Sequence, residues 1–490
     1  MPSPLRPERF KCVHKGMKTY ILILAFALAA APFCLRAQGQ LPDTAAAKQF
    51  AAWLEAFNSG ERASLVEFWQ KNDPERVKLV DGAMEFREMT GGFAIKKVEE
   101  CGETKCAVVM QEKKSDQFAR ATIEVEPSAP FAVKEFEVRA TDPPAGLGVP
   151  RMTQSEVVAA TRAKLEQASA ADEFSGAVII AKNQKPIFSG AYGMAEREKK
   201  IPNTADTKFR IGSMNKMFTA TATMQLVQAG KIELDKPFGT YLTDYPNKEM
   251  ASSVTIQQLL THTGGTGDIF GPDFEKNRLE LKTLQDYVNL YGARGVKFPP
   301  GSKWEYSNYG FLLLGVIVQR VSGQDYYEYV REHIFKPAGM NSTDSLPENV
   351  TVANRSVGYL KEDPAKDWQA NTETLPYRGT SAGGGYSTVG DLLAFANALE
   401  NYKLLDEKHT NLMMTGKVDT PGGKKYAFGF TDMVSPDGMR CFGHGGGAPG
   451  INGDLKICKS SGYSVAVLAN LDPPAASRIS DFIANRLPKE

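Results

Sequence analysis

Residues Phe209–Ala220 read FRIGSMNKMFTA, and the meaning given to Ser213 and Lys216 within that stretch decides how the rest of the chain is understood. Met214, Met217 and Phe218 begin an apolar pattern that continues through Met224, Leu226 and Val227 to Gly230, which predicts a helix beginning near Ser213 and capped at Gly230. Residues three apart share a helix face, so Ser213 and Lys216 can touch. A hydroxyl becomes a useful nucleophile only when a neighbouring base takes its proton. Lysine can act as that base only where burial or nearby positive charge lowers its pKa. The helix start also supplies free N–H groups and the positive dipole end, where an acyl oxyanion would form. Alone, the spacing equally fits an ordinary polar helix start with a solvated lysine.

Two further stretches carry compatible chemistry. In KFPPGSKWEYSNYGFLLLGVI (297–317), Tyr306 and Asn308 stand between a Pro-Gly turn and a strongly apolar helical run. A phenol can relay a proton, and an amide can hold both a lysine and a substrate carbonyl. Tyr-x-Asn also occurs at Tyr245 and Tyr287, but those copies lie in a polar loop and inside a helical pattern. In CFGHGGGAPG (441–450) a strand runs into glycines with His444 at its end, and backbone without side chains can approach a substrate closely.

The ordered set resembles the serine hydrolases related to class C β-lactamases and penicillin-binding proteins, over about residues 170–475. Ser213-Met214-Asn215-Lys216 is similar to their Ser-x-x-Lys box, Tyr306-Ser307-Asn308 to Tyr-x-Asn, and His444-Gly445-Gly446 to Lys/His-x-Gly. The flanks LLTHTGG (259–265), PPGSKWEYSNYG (299–310) and AGGGYSTVGDLLAFANAL (382–399) match as well. The resemblance implies an antiparallel sheet beside a helical subdomain with the site in the seam. Ser213 would be acylated, with Lys216 and Tyr306 sharing the proton transfers. Asn308 would position Lys216 and the substrate. The N–H groups of Ser213 and Gly447 would form the oxyanion hole, with His444, Gly445 and Gly446 binding the substrate's far end. The third box departs from most class C β-lactamases, which place lysine there. Histidine is only partly charged near neutral pH, so carboxylate capture is expected to be weaker. Some D-amino-acid peptidases and esterases of the family carry histidine there, which points away from β-lactamase as the physiological role.

The remainder of the chain suggests a second unit. Residues 41–140 place Phe50, Trp53, Leu54 and Phe57, then Leu65, Phe68 and Trp69, at helical spacing before four strand-like runs. Helices followed by antiparallel strands make a small α+β domain, loosely similar to the NTF2-like domains. TDPPAGLGVPRM (141–152) has linker composition, and 153–490 is the hydrolase-like α+β domain, with strands at both ends and helices between. Residues 1–37 read as an export signal: positive residues, then TYILILAFALAAAPF, too short for the ~20 apolar residues of a membrane span. Met17 opens a segment that alone suffices as a signal, so either Met1 or Met17 serves as the start. A periplasmic or secreted protein is expected.

Removing Cys12 and Cys34 with that signal leaves Cys101, Cys106, Cys441 and Cys458. A turn at Glu103-Thr104 would face Cys101 with Cys106, and a hairpin centred on Pro449-Gly450 would face Cys441 with Cys458, so two local disulfides are expected. The formal net charge of +1, without basic stretches among aromatics, gives no sign of nucleic-acid binding. The scattered histidines lack metal-ligand spacing and no phosphate-binding glycine loop is present, so neither metal nor cofactor is expected, and His262 reads as structural. The partner is a small-molecule or peptide substrate; no stable membrane span is expected, and the oligomeric state stays open. GTSAG (379–383) spells a nucleophile elbow, but it lacks the preceding buried strand and following helix, and HGGG (444–447) lies downstream rather than upstream. A second alternative is a hydrolase-shaped protein that binds cell-wall peptides without turnover.

Overall fold

The computed structural model describes residues 40–361, 366–421 and 423–489; the export segment read from residues 1–37 lies outside them. Helices Ala45–Ser59, Arg62–Asn72 and Val80–Thr90 precede the strands Phe93–Cys101, Lys105–Glu112, Phe118–Val125 and Val133–Thr141. The first helix is capped by Thr44 and ends at Gly60, which adopts a left-handed φ of 76°. The four strands pair antiparallel in chain order. Phe50, Trp53, Phe57, Leu65, Phe68 and Trp69 pack on them in a core of their own. Within it Trp53 lies 5.3 Å from Phe57 and 4.6 Å from Phe136 between ring centroids.

From about residue 160 onward the chain forms a larger α+β body around an eight-stranded antiparallel sheet. In spatial order its strands are Val418–Asp419, Lys425–Tyr426, Thr431–Val434, Arg440–Ala448, Ile451–Cys458, Tyr463–Ala469, Gly176–Lys182 and Lys185–Tyr192. Strands from both ends of this region therefore share one sheet. Alternation along Gly176–Lys182 explains its central place. Ala177, Ile179 and Ala181 face the large core shared with the helical region, while Val178 and Ile180 face a second core. That second core is covered by the helices Gln154–Ala170 and Ala475–Ala484. Both faces are buried, so the strand reads as almost uninterrupted apolar sequence.

The two bodies meet along the Lys114–Phe118 turn. Arg486 pairs with Asp116, Lys114 Nζ lies 3.1 Å from Glu173 Oε1, and Gln117 Nε2 donates to Asp481 Oδ2 at 3.3 Å. The intervening segment is tethered by Arg151, which reaches Asp437 at 2.7 Å.

Both expected disulfides are formed, Cys101–Cys106 and Cys441–Cys458. Gly102 N–H bonds Lys105 O at 2.8 Å, closing a turn over Glu103-Thr104. Ala448 faces Ile451 across Pro449-Gly450, which sets Phe442 against Ile457 and carries the register on to the second cysteine pair. These bridges fit an extracytoplasmic location.

Candidate active site

The predicted helix resolves into a 3-10 turn, Gly212–Met214, running into an α-helix, Asn215–Gln228. This helix is buried nearly all round, from Asn215 through Met224 and at Leu226, as suits a helix enclosed by protein on every side. Its threonines tolerate this because their hydroxyls are bonded internally: Thr221 to Met217 O at 2.8 Å and Thr223 to Thr219 O at 2.9 Å. Lys216 lies on this helix and is 0 % exposed, so the solvated lysine of an ordinary helix start is excluded.

Three oxygens surround the Lys216 amine. It lies 3.2 Å from Ser213 Oγ, 2.7 Å from Asn308 Oδ1, and within hydrogen-bond distance of Ala382 O. Burial is the main cause that brings its pKa from the ordinary 10.5 down to about 7, and Asp268 pulls in the opposite direction. Near neutral pH the amine is therefore neutral in a large fraction of molecules. Its Nζ sits 4.7 Å from the centroid of the Tyr306 ring. Burial raises the Tyr306 phenol well above the ordinary tyrosine range, against a lowering contact with Ser213, so this group keeps its proton. The structure thus brings Ser213, Lys216, Tyr306 and Asn308 to one place.

The Tyr306 and Asn308 segment is held by local bonds. Ser307 caps the helix Asn308–Ser322 by accepting from Gly310 N at 3.0 Å. Its own N–H donates to His262 Nδ1 at 3.1 Å. His262 has a left-handed φ of 60° and packs 4.4 Å from the Tyr306 ring and 4.5 Å from the Tyr426 ring. Burial holds its imidazole well below the ordinary range, so it is neutral. Asn308 Nδ2 donates to both carboxylate oxygens of Asp268, at 3.0 and 3.1 Å. The other two Tyr-x-Asn copies are elsewhere: Tyr245 is buried against Tyr309 at 2.9 Å, and Tyr287 is a core residue.

The Arg440–Ala448 strand forms the opposite wall. Gly446 and Gly447 abut the Ser213 turn: a Cβ on Gly446 would lie 1.9 Å from Ile211 O, and one on Gly212 would lie 3.1 Å from Gly447 N. In an antiparallel hairpin closed at Ala448 and Ile451, hydrogen-bonded pairs alternate, so the Gly447 amide points away from the neighbouring strand. The next strand on that side, Thr431–Val434, pairs only as far as Gly443. An amide is thereby left facing the Ser213 turn.

The partial charge expected of His444 is reduced further by burial. His444 is buried, and burial first, then the Lys216 charge, brings its pKa down to about 4. Its Nδ1 meets the Gly445 carbonyl and therefore carries the proton, while Nε2 accepts from the Tyr426 hydroxyl at 3.0 Å. At neutral pH the third box presents no cation.

Two contributors went unread in the sequence, Asp268 and Tyr426, while the 379–385 segment was read only as a rejected elbow and as part of a matching flank. That last stretch is no nucleophile elbow. Ser381 is 0 % exposed, and the chain around it forms the floor of the site. Gly384 N bonds Gly212 O at 3.2 Å, Ile211 N bonds Gly385 O at 3.2 Å, and Ala382 O meets Lys216. Asp268 lies just beyond the LLTHTGG flank, and the carboxylate itself was the only available signal.

A buried lysine against a serine at a helix tip, framed by a Tyr-Ser-Asn segment and a glycine strand, is the arrangement of a serine hydrolase of the β-lactamase-like type. The family model Beta-lactamase matches residues 161–488, well over half of the chain, and the chain belongs to that family. It is 31% identical over 299 residues to the putative penicillin-binding protein PbpX of Bacillus subtilis, a match covering 60% of this chain and 70% of that protein. Among solved structures, a penicillin-binding protein from Bacillus halodurans matches with TM-score 0.60 and 33% identity, covering 65% of this chain and 99% of the other. A D-stereospecific amidohydrolase from Streptomyces sp. matches with TM-score 0.57 and 28% identity, covering 66% and 97%. The protein is a β-lactamase-family hydrolase related to penicillin-binding proteins and to a D-stereospecific amidohydrolase.

Proposed function

We propose that this protein is a periplasmic or secreted serine hydrolase that opens ester or D-amino-acid amide and peptide bonds through an acyl-enzyme on Ser213. The observation that carries this reading is the 3.2 Å approach of a desolvated Lys216 amine to Ser213 Oγ. Neutral Lys216 takes the hydroxyl proton as Oγ bonds to the substrate carbonyl carbon. The developing oxyanion is received by the N–H groups of Ser213 and Gly447. The C–O or C–N bond then breaks as the proton reaches the leaving group by way of the Tyr306 phenol, and water later releases the acid by the same relay in reverse.

Substrate preference follows from the third box. A neutral His444 gives a substrate carboxylate no charge to pair with, so uncharged ends suit this site better than free carboxylates. The Streptomyces relative, named for D-stereospecific amide hydrolysis, supports the same direction. Residues 153–490 form the catalytic unit in this reading, and 41–140 an NTF2-like companion joined by 141–152. The test is a panel of p-nitrophenyl esters, D-amino-acid amides, D-Ala-terminated peptides and a chromogenic cephalosporin. Turnover of esters or amides well above the carboxylate-bearing substrates is expected; preferential turnover of the cephalosporin would replace this reading with that of a β-lactamase.

A further inference from the structure

A neutral primary amine has two N–H donors and one lone pair. Two of the three groups around Lys216 Nζ, Ala382 O and Asn308 Oδ1, can only accept. If both N–H bonds go to them, the lone pair is left for Ser213 Oγ–H, which is the arrangement a base requires. Everything then depends on which end of the Asn308 amide faces the lysine. With the amide reversed, Nδ2 would donate into the lone pair and remove the base.

We propose that Asp268 is a positioning residue for the acylation of Ser213: its carboxylate fixes the Asn308 amide with Oδ1 toward Lys216, and it supplies the anion opposite that amine. A carboxylate accepts and cannot donate, so contacts of 3.0 and 3.1 Å to one amide atom admit only the nitrogen there. The carboxylate is itself held. Ile269 N–H bonds Oδ1 at 2.6 Å, and Arg294 Nη2 bonds the Asp268 carbonyl at 3.0 Å. The Thr266 hydroxyl meets Ser307 Oγ at 2.8 Å, and Ser307 also donates to Gly267 O. The 266–269 loop is therefore stitched to the start of the Asn308–Ser322 helix. The titratable groups around Lys216 are Asp268, Tyr306, His262 and His444; both imidazoles are neutral and the phenol keeps its proton, so Asp268 carries the charge acting on the amine.

This rests on the reading that Ser213 is the acylated residue, and the experiment separates the two. The rate of fluorophosphonate attachment to Ser213 would be followed by intact mass from pH 5 to 9 in the full chain, in wild type, Asp268→Asn and Asp268→Ala, with circular dichroism confirming folding. Wild type should label with a midpoint near pH 7. Both variants should show that midpoint moved down by about one pH unit, the scale of an opposite charge removed from a few ångströms away. Asp268→Ala should also lose about tenfold or more in the plateau rate, as expected for a displaced general base. An unmoved midpoint, or the loss of folded protein in both variants, would make Asp268 merely structural and overturn the assignment. Failure of wild type to label at all would instead remove the reading beneath it.

Discussion

Gly446→Ala tests how tightly the Ser213 turn is wedged against the sheet. A methyl at this position would lie 1.9 Å from Ile211 O, 2.9 Å from Ile211 C and 3.2 Å from Met214 Cγ. Carbon and oxygen at rest need more than 3 Å, so the turn or the strand must move by roughly 1 Å or more. That displacement exceeds the margin of about 0.4 Å between a working hydrogen bond and none at the Ser213–Lys216 contact of 3.2 Å. Misplacement of about 1 Å near the reacting atoms costs on the order of 100-fold in rate. Gly445→Ala is the matched control, because its methyl would meet nothing nearer than 3.5 Å. The assay is the rate of fluorophosphonate attachment to Ser213, with thermal melting beside it. Gly446→Ala should label about 100-fold more slowly while remaining folded, and Gly445→Ala should stay within about tenfold. Equal labelling by the two variants would refute the close approach of that strand to the nucleophile turn.

Other consequences follow from the same geometry. As the proposed base Lys216 would act only when unprotonated, and its pKa is brought down to about 7, so labelling should fall as pH drops through 7 and level off above about pH 8; a rate still climbing at pH 9 would mean an ordinary, solvated lysine. His444→Gln keeps a neutral side chain, so its preference between amide and carboxylate-bearing substrates should be unchanged, whereas a selective loss on carboxylates would show that the imidazole carries charge. Replacing Cys441 and Cys458 by serine opens a loop with a sequence separation of 17 residues and should cost about 3 kcal/mol, measured as a lower melting temperature together with slower labelling of Ser213. Unchanged melting and labelling would show that the bridge does not brace the strand bearing His444.

Much of this architecture was legible because local signals agreed with distant ones. The 209–220 stretch combined a candidate nucleophile with an apolar helix pattern, and the Pro449-Gly450 turn set a register that faced two cysteines. Tyr306 could be chosen over Tyr245 and Tyr287 from its place between a turn and a helix. What stayed hidden depends on contacts distant in sequence. Nothing local shows that Ala382 O would meet Lys216, which lies 166 residues away, or that the Tyr426 hydroxyl would occupy His444. How far burial would lower the charge of His444 was hidden for the same reason, since burial belongs to the folded chain. The 379–385 stretch also carried two meanings in one spelling: a false nucleophile motif, and the tight backbone that lets a loop close under Ser213.

In the proposed mechanism Ser213 Oγ is the nucleophile and the Lys216 amine its base. The most direct test of that assignment is the intact mass, with peptide mapping, of the protein after exposure to a fluorophosphonate or a penicillin. A single adduct on Ser213, absent in Ser213→Ala and in Lys216→Ala, is the predicted result. An adduct on any other residue, or one that persists in either variant, would contradict it.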